Sequence, residues 1–534
     1  MARGTQTKGD AALRGIAAVV AGLGAGELVA GAIPPHASPI AAVGGVLIEL
    51  APTWAIELGI QLFGSWDKVA ILVSIVLVVV GLGAVAGLVE RVRPPMGMII
   101  VVAFGAAGLL AALLRGGNAM SGLPGLVGVV VAVLAFRLLP RALRRRPVGV
   151  LAAVPDVPEA AASDALEAAE PAPAAPEVGR RAFLAWAGGL TLVGALAAVG
   201  GATMSGLGRA GSAIASALRL PVPARPLPPI PAAAELAIPG LTPVVTPVAD
   251  FYRVDTAFVV PKLAPEDWRL RIHGLVEQEL ELGWDDLMSF EFEEFDVTLV
   301  CVSNPIGGEY AGNARWLGTR IAPILDLAGP LPESDMAFST SVDGWTASTP
   351  LETLRDPERS AILAIGMNGV PLPPEHGAPV RMIVPGLYGY VSATKWVTDI
   401  ELTRFDRRTA YWTTYGWAPR APVRLQSRID VPQPGVALQA GPMQLAGVAW
   451  HPFTGIAGVE VRIDEGPWLA AELAAAIGID TWVQWHLLWE ATAGHHTLAV
   501  RAIGANGEVQ TAARQGGIPD GATGHHSFAV RVEG

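Results

Sequence analysis

Five runs of about twenty apolar residues crowd the first 210 positions of this 534-residue chain, at roughly 12–33, 69–89, 96–114, 119–139 and 182–203. A helix needs ~20 apolar residues to cross a bilayer core. Burying so many such helices inside a water-soluble fold is a poor alternative, so the sequence predicts an N-terminal α-helical membrane domain. Four spans lie within 1–146 and the fifth is 182–203. The stretch 40–63 is also apolar, but Glu49, Pro52 and Glu57 interrupt it, and it reads as a re-entrant or surface helix.

Charge fixes the orientation. Arg3, Lys8 and Arg14 precede the first span, and Arg91 and Arg93 separate the second and third. Arg137, Arg141, Arg144, Arg145 and Arg146 follow the fourth, and Arg180 and Arg181 precede the fifth. Five spans put every cluster on one side of the membrane, whereas a sixth at 40–63 would send Arg141–Arg146 across. The expectation is a multi-pass protein of the cell membrane, in contact with lipid, with a cytoplasmic N-terminus and an extracytoplasmic C-terminal half. Residues 147–181 are rich in Ala, Pro and acids and read as a disordered cytoplasmic linker. It ends in Gly179-Arg-Arg-Ala-Phe-Leu, which resembles a twin-arginine export signal, a route for proteins already folded around a cofactor. Residues 204–247 read as a Pro-rich tether.

The remainder has ordinary globular composition and holds twelve of the fifteen tryptophans. A net charge of −11 gives no reason to expect a nucleic-acid partner. His36 is the only histidine before residue 251, although a haem between helices needs two, and no haem-attachment motif occurs. No haem is expected. Cys301 is the sole cysteine. It can make neither an intramolecular disulfide nor a four-cysteine metal site, so it is either a small core residue or a lone thiolate with a function.

Alternation predicts strands at Trp268–Gly274 and Val297–Val302, the latter running into a loop at Cys301. Ile321–Ala328 reads as a short helix, Val380–Gly386 as strand then turn, and Lys395–Leu402 as strand. Residues 421–534 read as all-β, with strands at Val448–Trp450, Val459–Asp464, Trp485–Trp489, His496–Ala502 and Ser527–Val532, a pattern that suggests an immunoglobulin-like β-sandwich.

Several strings point one way: Thr298-Leu-Val-Cys-Val-Ser-Asn304, Asn313-Ala-Arg-Trp-Leu-Gly-Thr-Arg320, Met367-Asn-Gly-Val-Pro-Leu-Pro-Pro-Glu-His376, Arg381-Met-Ile-Val-Pro-Gly386 and Lys395-Trp396. Together they resemble the sulfite oxidase family of molybdenum enzymes, over residues ~250–534. The resemblance implies a mixed α+β molybdopterin-binding domain at 248–420, and at 421–534 a β-sandwich similar to the family's dimerisation domain, hence a homodimer. It implies one molybdenum–molybdopterin per chain, with Cys301 as the protein ligand to the metal. A soft thiolate suits that role. Asn304, His376, Arg381, Ser392, Thr394 and Lys395 match positions around the cofactor, the cationic ones near its phosphate. Tyr415 resembles the family's active-site tyrosine, with Tyr411 a rival in register. Arg253 falls near a substrate-binding arginine, and Trp316 is expected to line the pocket.

The chain departs from the family directly after the cysteine. Animal-type members continue Ala-Gly-Asn-Arg-Arg, whereas this chain reads Val302-Ser-Asn-Pro-Ile306. Losing two positive charges weakens the case for a small dianion. The expected activity is oxygen-atom transfer outside the cytoplasm to or from sulfite or an S- or N-oxide, with an unidentified electron carrier, a quinone or a cytochrome. A non-catalytic membrane-tethered binding module would explain the anchor and the β-sandwich but leaves Cys301 and the cationic set without a role. A cysteine hydrolase lacks any hydrolase motif around Cys301.

Overall fold

The computed structural model describes residues 7–31, 38–51, 67–116, 119–139, 180–206, 218–257 and 260–534. Several expectations lie outside those residues: most of the interrupted apolar stretch beyond Leu50, the linker 147–179, His36, the Arg141–Arg146 cluster and the start of the tether. The chain divides into two compact units, Met1–Leu207 and Gly208–Gly534.

The first unit is helical. Lys8–Ala30, Ala70–Val92, Met96–Leu113 and Met120–Leu138 are long and apolar enough to cross a membrane. The fifth expected span lies in a helix over Arg180–Gly206, whose apolar run among the described residues is Leu184–Ala198. The 40–63 stretch opens with a helix at Pro39–Leu50, capped by the Ser38 side chain, which accepts from the Ala41 N–H. Lys8–Ala30 is the hub. A Cβ on Gly15 would collide with the Gly83 backbone, one on Gly22 with Gly128 and Ala132, and one on Gly24 with the Gly194 backbone. Three helices thus approach one glycine-faced helix at backbone distance, the contact that association in lipid requires when no hydrophobic force drives it.

The second unit begins with an unexpected feature. Residues 218–247 are no free tether. Ala224 N–H donates to Phe292 O, Thr246 N–H to Asn313 O, and Leu236 N–H to the Gln484 side chain. Val244 is buried, and its carbonyl accepts from Asn313 Nδ2 and Trp482 Nε1. A proline-rich segment forms few hydrogen bonds with itself, so its donors go to whatever surface it is laid on.

Two sheets follow, the first mixed and the second antiparallel. The first runs Leu280–Gly283, Arg269–Gly274, Val397–Thr403, Met336–Ser341, Thr346–Pro350, with one parallel pair between Arg269–Gly274 and Val397–Thr403. The second runs Glu293–Val300, Ala311–Arg320, Ile362–Met367, Val370–Pro371, with Arg381–Ile383 also pairing Ile362–Met367. The helix Ile321–Ala328 forms as expected. It buries Ile321, Ile324, Leu325 and Ala328 on one face, and Gly329 ends it at φ 67°. The C-terminal region consists of two sheets. One holds Gln426–Val431, Gly441–Trp450, Val483–Ala491 and Glu472–Leu473. The other holds Ala437–Gln439, His526–Glu533, Gly494–Gly504, Ile456–Ile463 and Trp468–Ala470. Leu445 and Trp485 from one sheet share a core with Val461, Val500 and Val530 from the other. Its loops reach the cysteine strand, where Thr298 N–H donates to Asp480 O and Trp482 N–H to Thr298 Oγ1.

Candidate functional site

The strand Glu293–Val300 ends one residue before Cys301. Its last three positions are buried, and the chain then turns sharply. Cys301 N–H donates to Tyr310 O at 2.9 Å, Asn304 N–H returns to Cys301 O at 3.1 Å, and Asn304 Oδ1 accepts from Tyr310 N–H at 2.9 Å. Asn304 therefore builds the turn that presents the thiol. The half-buried Sγ lies 3.0 Å from Ser303 Oγ. Burial pushes the thiol's pKa up, while the Ser303 bond and the nearby charge of Lys395 pull it back. The hydrogen-bond partner of the thiol is a serine rather than a histidine, so the hydrolase reading gains no support here.

His376, Arg381 and Lys395 converge from three segments. His376 is buried, with Nε2 3.2 Å from Val248 O. Burial first, then the charges of Lys395, Arg381 and Arg253, drive its pKa down to about 4, so the ring is neutral at pH 7. Arg381 is only 4% exposed. Its guanidinium donates to His376 O at 3.0 Å, Ala393 O at 3.3 Å and Met382 O at 3.4 Å, and among the described residues it has no carboxylate partner. Burial lowers its pKa to about 10. Lys395 Nζ donates to Asp255 Oδ2 at 2.9 Å and to Glu375 O at 3.0 Å.

Other expected residues sit differently. Trp316 is fully buried and lines no open pocket. Its indole N–H donates to Val297 O, and Arg381 lies over its ring, so it forms a floor beneath the cation rather than a wall for substrate. The Ser392 hydroxyl donates to Leu387 O and Tyr388 O, and that of Thr394 pairs with Ser339 Oγ at 2.7 Å. Both are buried and committed to the protein's own scaffold. Arg253 is exposed, yet its charge is felt at His376. Tyr415 is half-buried and packs against Tyr411 and Trp412, with ring centroids at 5.4 and 5.7 Å. A cavity of about 630 Å³ beside Arg269, Trp284 and Asp286 contains none of these residues.

The sequence reading missed three side chains. Tyr252, next to Arg253 in the chain, lies within electrostatic reach of both Cys301 and Arg381, and burial raises its pKa. Tyr388 is buried, also feels Cys301, and is pushed up to about 12. Asp255, two residues after Arg253, is the carboxylate on Lys395. Their shared signal was proximity in sequence to residues already singled out.

A buried guanidinium without a counter-ion is costly unless an anion shares the site. A lone thiolate beside such a cationic pocket suits a soft metal carried on a phosphorylated organic cofactor, so the residues present fit a pterin-bound molybdenum. This is the design of a molybdenum-dependent oxidoreductase.

Residues 257–412 match the family described as an oxidoreductase molybdopterin binding domain. Mitochondrial sulfite oxidase of Mus musculus is 31% identical over 255 residues, covering 40% of this chain and 46% of that protein. The uncharacterized oxidoreductase YuiH of Bacillus subtilis (strain 168) is 32% identical over 153 residues, covering 29% of this chain and 73% of that protein. NADH nitrate reductase 2 of Phaseolus vulgaris is 33% identical over 193 residues, covering 31% of this chain and 22% of that protein. The chain belongs to the sulfite oxidase family of molybdopterin oxidoreductases. It spans about half the length of the sulfite oxidases it matches.

Proposed function

We propose that the protein is a membrane-anchored, extracytoplasmic oxidoreductase that transfers an oxygen atom to or from a small sulfur or nitrogen centre. The observation that carries this reading is the buried Arg381, without a carboxylate partner among the described residues, grouped with His376, Lys395 and the Cys301 thiol. In it Cys301 ligates the metal, while Arg381 and Lys395 hold the cofactor's phosphate. When bound, the cofactor supplies two-electron oxygen-atom chemistry.

The chain's own residues supply the rest. The neutral His376 ring takes part in hydrogen bonding without adding charge. Tyr252 and Tyr388 keep their protons at pH 7, so both remain donors beside the thiolate. Tyr415 is our candidate for moving a proton at the reacting face. The arginines that could replace the two missing after Cys301 are engaged elsewhere: Arg315 with Asp296 at 2.8 Å and Arg320 with Glu293 at 3.3 Å. Exposed Arg253 leaves the site some positive charge, enough for a small oxyanion and compatible with a neutral S- or N-oxide. The family contains enzymes named for sulfite and for nitrate, so the family alone does not choose between them.

The anchor is the helical unit. Five spans, a cytoplasmic N-terminus and export through Arg180–Arg181 form the topology we propose, with the C-terminal two-sheet region an immunoglobulin-like sandwich that pairs two copies. Electrons pass to or from a quinone or a cytochrome. The test is a paired assay of the purified full chain: sulfite oxidation with an artificial acceptor, and reduction of sulfoxides and N-oxides with a reduced viologen. Turnover in either, abolished in Cys301→Ser, supports the reading. A molybdenum-loaded protein inactive in both overturns it.

A further inference from the structure

The C-terminal region touches the turn after Cys301 as well as the strand before it. Arg428 Nη1 donates to Gly308 O at 2.7 Å, and the His526 ring packs against Gly307. The long connection over residues 511–525 then folds across the same turn. A Cβ added to Gly517 would lie 3.4 Å from Val302 O and 3.1 Å from Trp417 Cη2, and one added to Gly524 would lie 2.9 Å from Ile306 Cδ1. Gly521 lies against the phenol of Tyr388, the side chain that feels the Cys301 charge. Bare backbone therefore packs on the cysteine turn at two points, Gly517 and Gly524, and on Tyr388 at a third, Gly521. A side chain at any of them would press on its neighbour.

This connection has little regular structure, so something else must hold it. Gln510 does so. It is buried, and its Oε1 accepts from Ser427 Oγ at 2.7 Å and Ala502 N–H at 2.9 Å. Its Nε2 donates to Gln426 Oε1 at 3.1 Å and to Gly524 O at 2.8 Å. Its carbonyl lies 3.0 Å from His525 Nε2. Gln426 Nε2 in turn donates to Ala522 O at 2.8 Å. On the opposite side, Ala418 N–H donates to Pro519 O at 2.8 Å and Arg424 pairs with Asp520. A fully satisfied buried amide network of this kind fixes one conformation.

We infer that the 511–525 connection is the wall that decides which molecules reach Cys301, with Gln510 a positioning residue and Gly517 a specificity-determining one. The C-terminal region then shapes the reaction pocket in addition to any pairing role. The inference names the same site as the proposed function, but its geometry is testable without turnover, because Cys301 is the sole thiol in the chain.

The experiment uses the full chain purified cofactor-free and measures alkylation of Cys301 by iodoacetamide and by a bulky polymer-linked maleimide, each relative to free cysteine. In wild type the bulky reagent is disfavoured. Gln510→Leu should reduce that discrimination about tenfold, and Gly517→Ala should increase it, while thiol ionisation cancels in the ratio. If Gln510→Leu does not fold, Gly517→Ala decides alone. A size ratio unchanged in folded variants overturns the inference. In the loaded enzyme, Gln510→Leu should raise KM about tenfold with kcat within about twofold. Equal loss of kcat and kcat/KM would mean a structural role only and would also overturn it. Absence of turnover in wild type would count against the proposed function while leaving the labelling result intact.

Discussion

Arg381 stands 5.1 Å from the ring centre of Trp316, inside the protein, and every hydrogen bond its guanidinium makes is to a backbone carbonyl. The indole face and three carbonyls solvate the charge in part, but nothing neutralises it. That arrangement favours an incoming anion over the empty fold.

Replacing Arg381 should therefore separate stability from binding. Replacing a buried ion pair by hydrophobes of similar volume is often neutral or stabilising by about 1–4 kcal/mol, and an unpaired buried charge has no partner whose attraction would be lost. Arg381→Met is expected to melt at or above wild type when cofactor-free, yet to purify without pterin. A marked drop in the cofactor-free melting temperature would show that the charge serves the fold instead.

Lys395 and Asp255 form a pair with side chains 11% and 8% exposed. Removing one partner of a buried pair costs about 3–5 kcal/mol. Asp255→Asn should cost that much in the cofactor-free chain and clearly less in the loaded one, where the cofactor's phosphate takes over as the anion. Thermal unfolding of both forms checks this, and equal losses would remove Lys395 from the phosphate site.

The helical unit allows an internally controlled test. A Cβ on Gly24 would strike the Gly194 backbone, whereas one on Gly81 meets nothing within 4 Å. Gly24→Ala should lower the thermal midpoint in detergent and expose the helices to protease, and Gly81→Ala should do neither. Equal tolerance at the two sites would mean that the helices do not cross at these glycines.

Acid should weaken the second unit. Burial holds His376 and His526 down at about 4, against an ordinary value of 6.5. Between those values the unfolded chain binds more protons, so this stabilisation is complete above about pH 6.5 and is lost as pH falls toward 4. Burial raises Asp480 from 3.8 to about 6, which acts in the opposite sense over an overlapping range. Two histidines outweigh one carboxylate, so the cofactor-free melting temperature should fall from pH 6.5 to 4. A flat or rising profile would contradict the buried, neutral state of both rings.

Much of this was legible in the sequence, for identifiable reasons. Apolar length located the four helices long and apolar enough to cross a membrane, and alternation located the strand that ends before Cys301 and the strands of the C-terminal sheets. Residue type and motif singled out His376, Arg381 and Lys395, which the fold brings together. What was not legible shares a cause. That Trp316 lies beneath Arg381, and that the Ser392 and Thr394 hydroxyls bond to the scaffold, depends on where side chains point, which position along the chain does not reveal. The 218–247 segment looked like a tether because proline-rich composition does not show which surface will accept its donors. The role of the glycines of Lys8–Ala30 depends on Gly83, Gly128 and Gly194, far away in sequence, and leaves no local signal. Gln510 carries no local signal at all, since each of its partners is distant or backbone.

Cys301 as the protein ligand to a pterin-bound molybdenum is tested most directly by metal and pterin analysis with molybdenum X-ray absorption on the full chain from a cofactor-competent host, wild type beside Cys301→Ser. Wild type should carry about one molybdenum per chain, and the variant should either lose the metal or show one sulfur fewer around it. Wild-type protein without molybdenum, or a variant with metal content and sulfur coordination unchanged, would contradict that role.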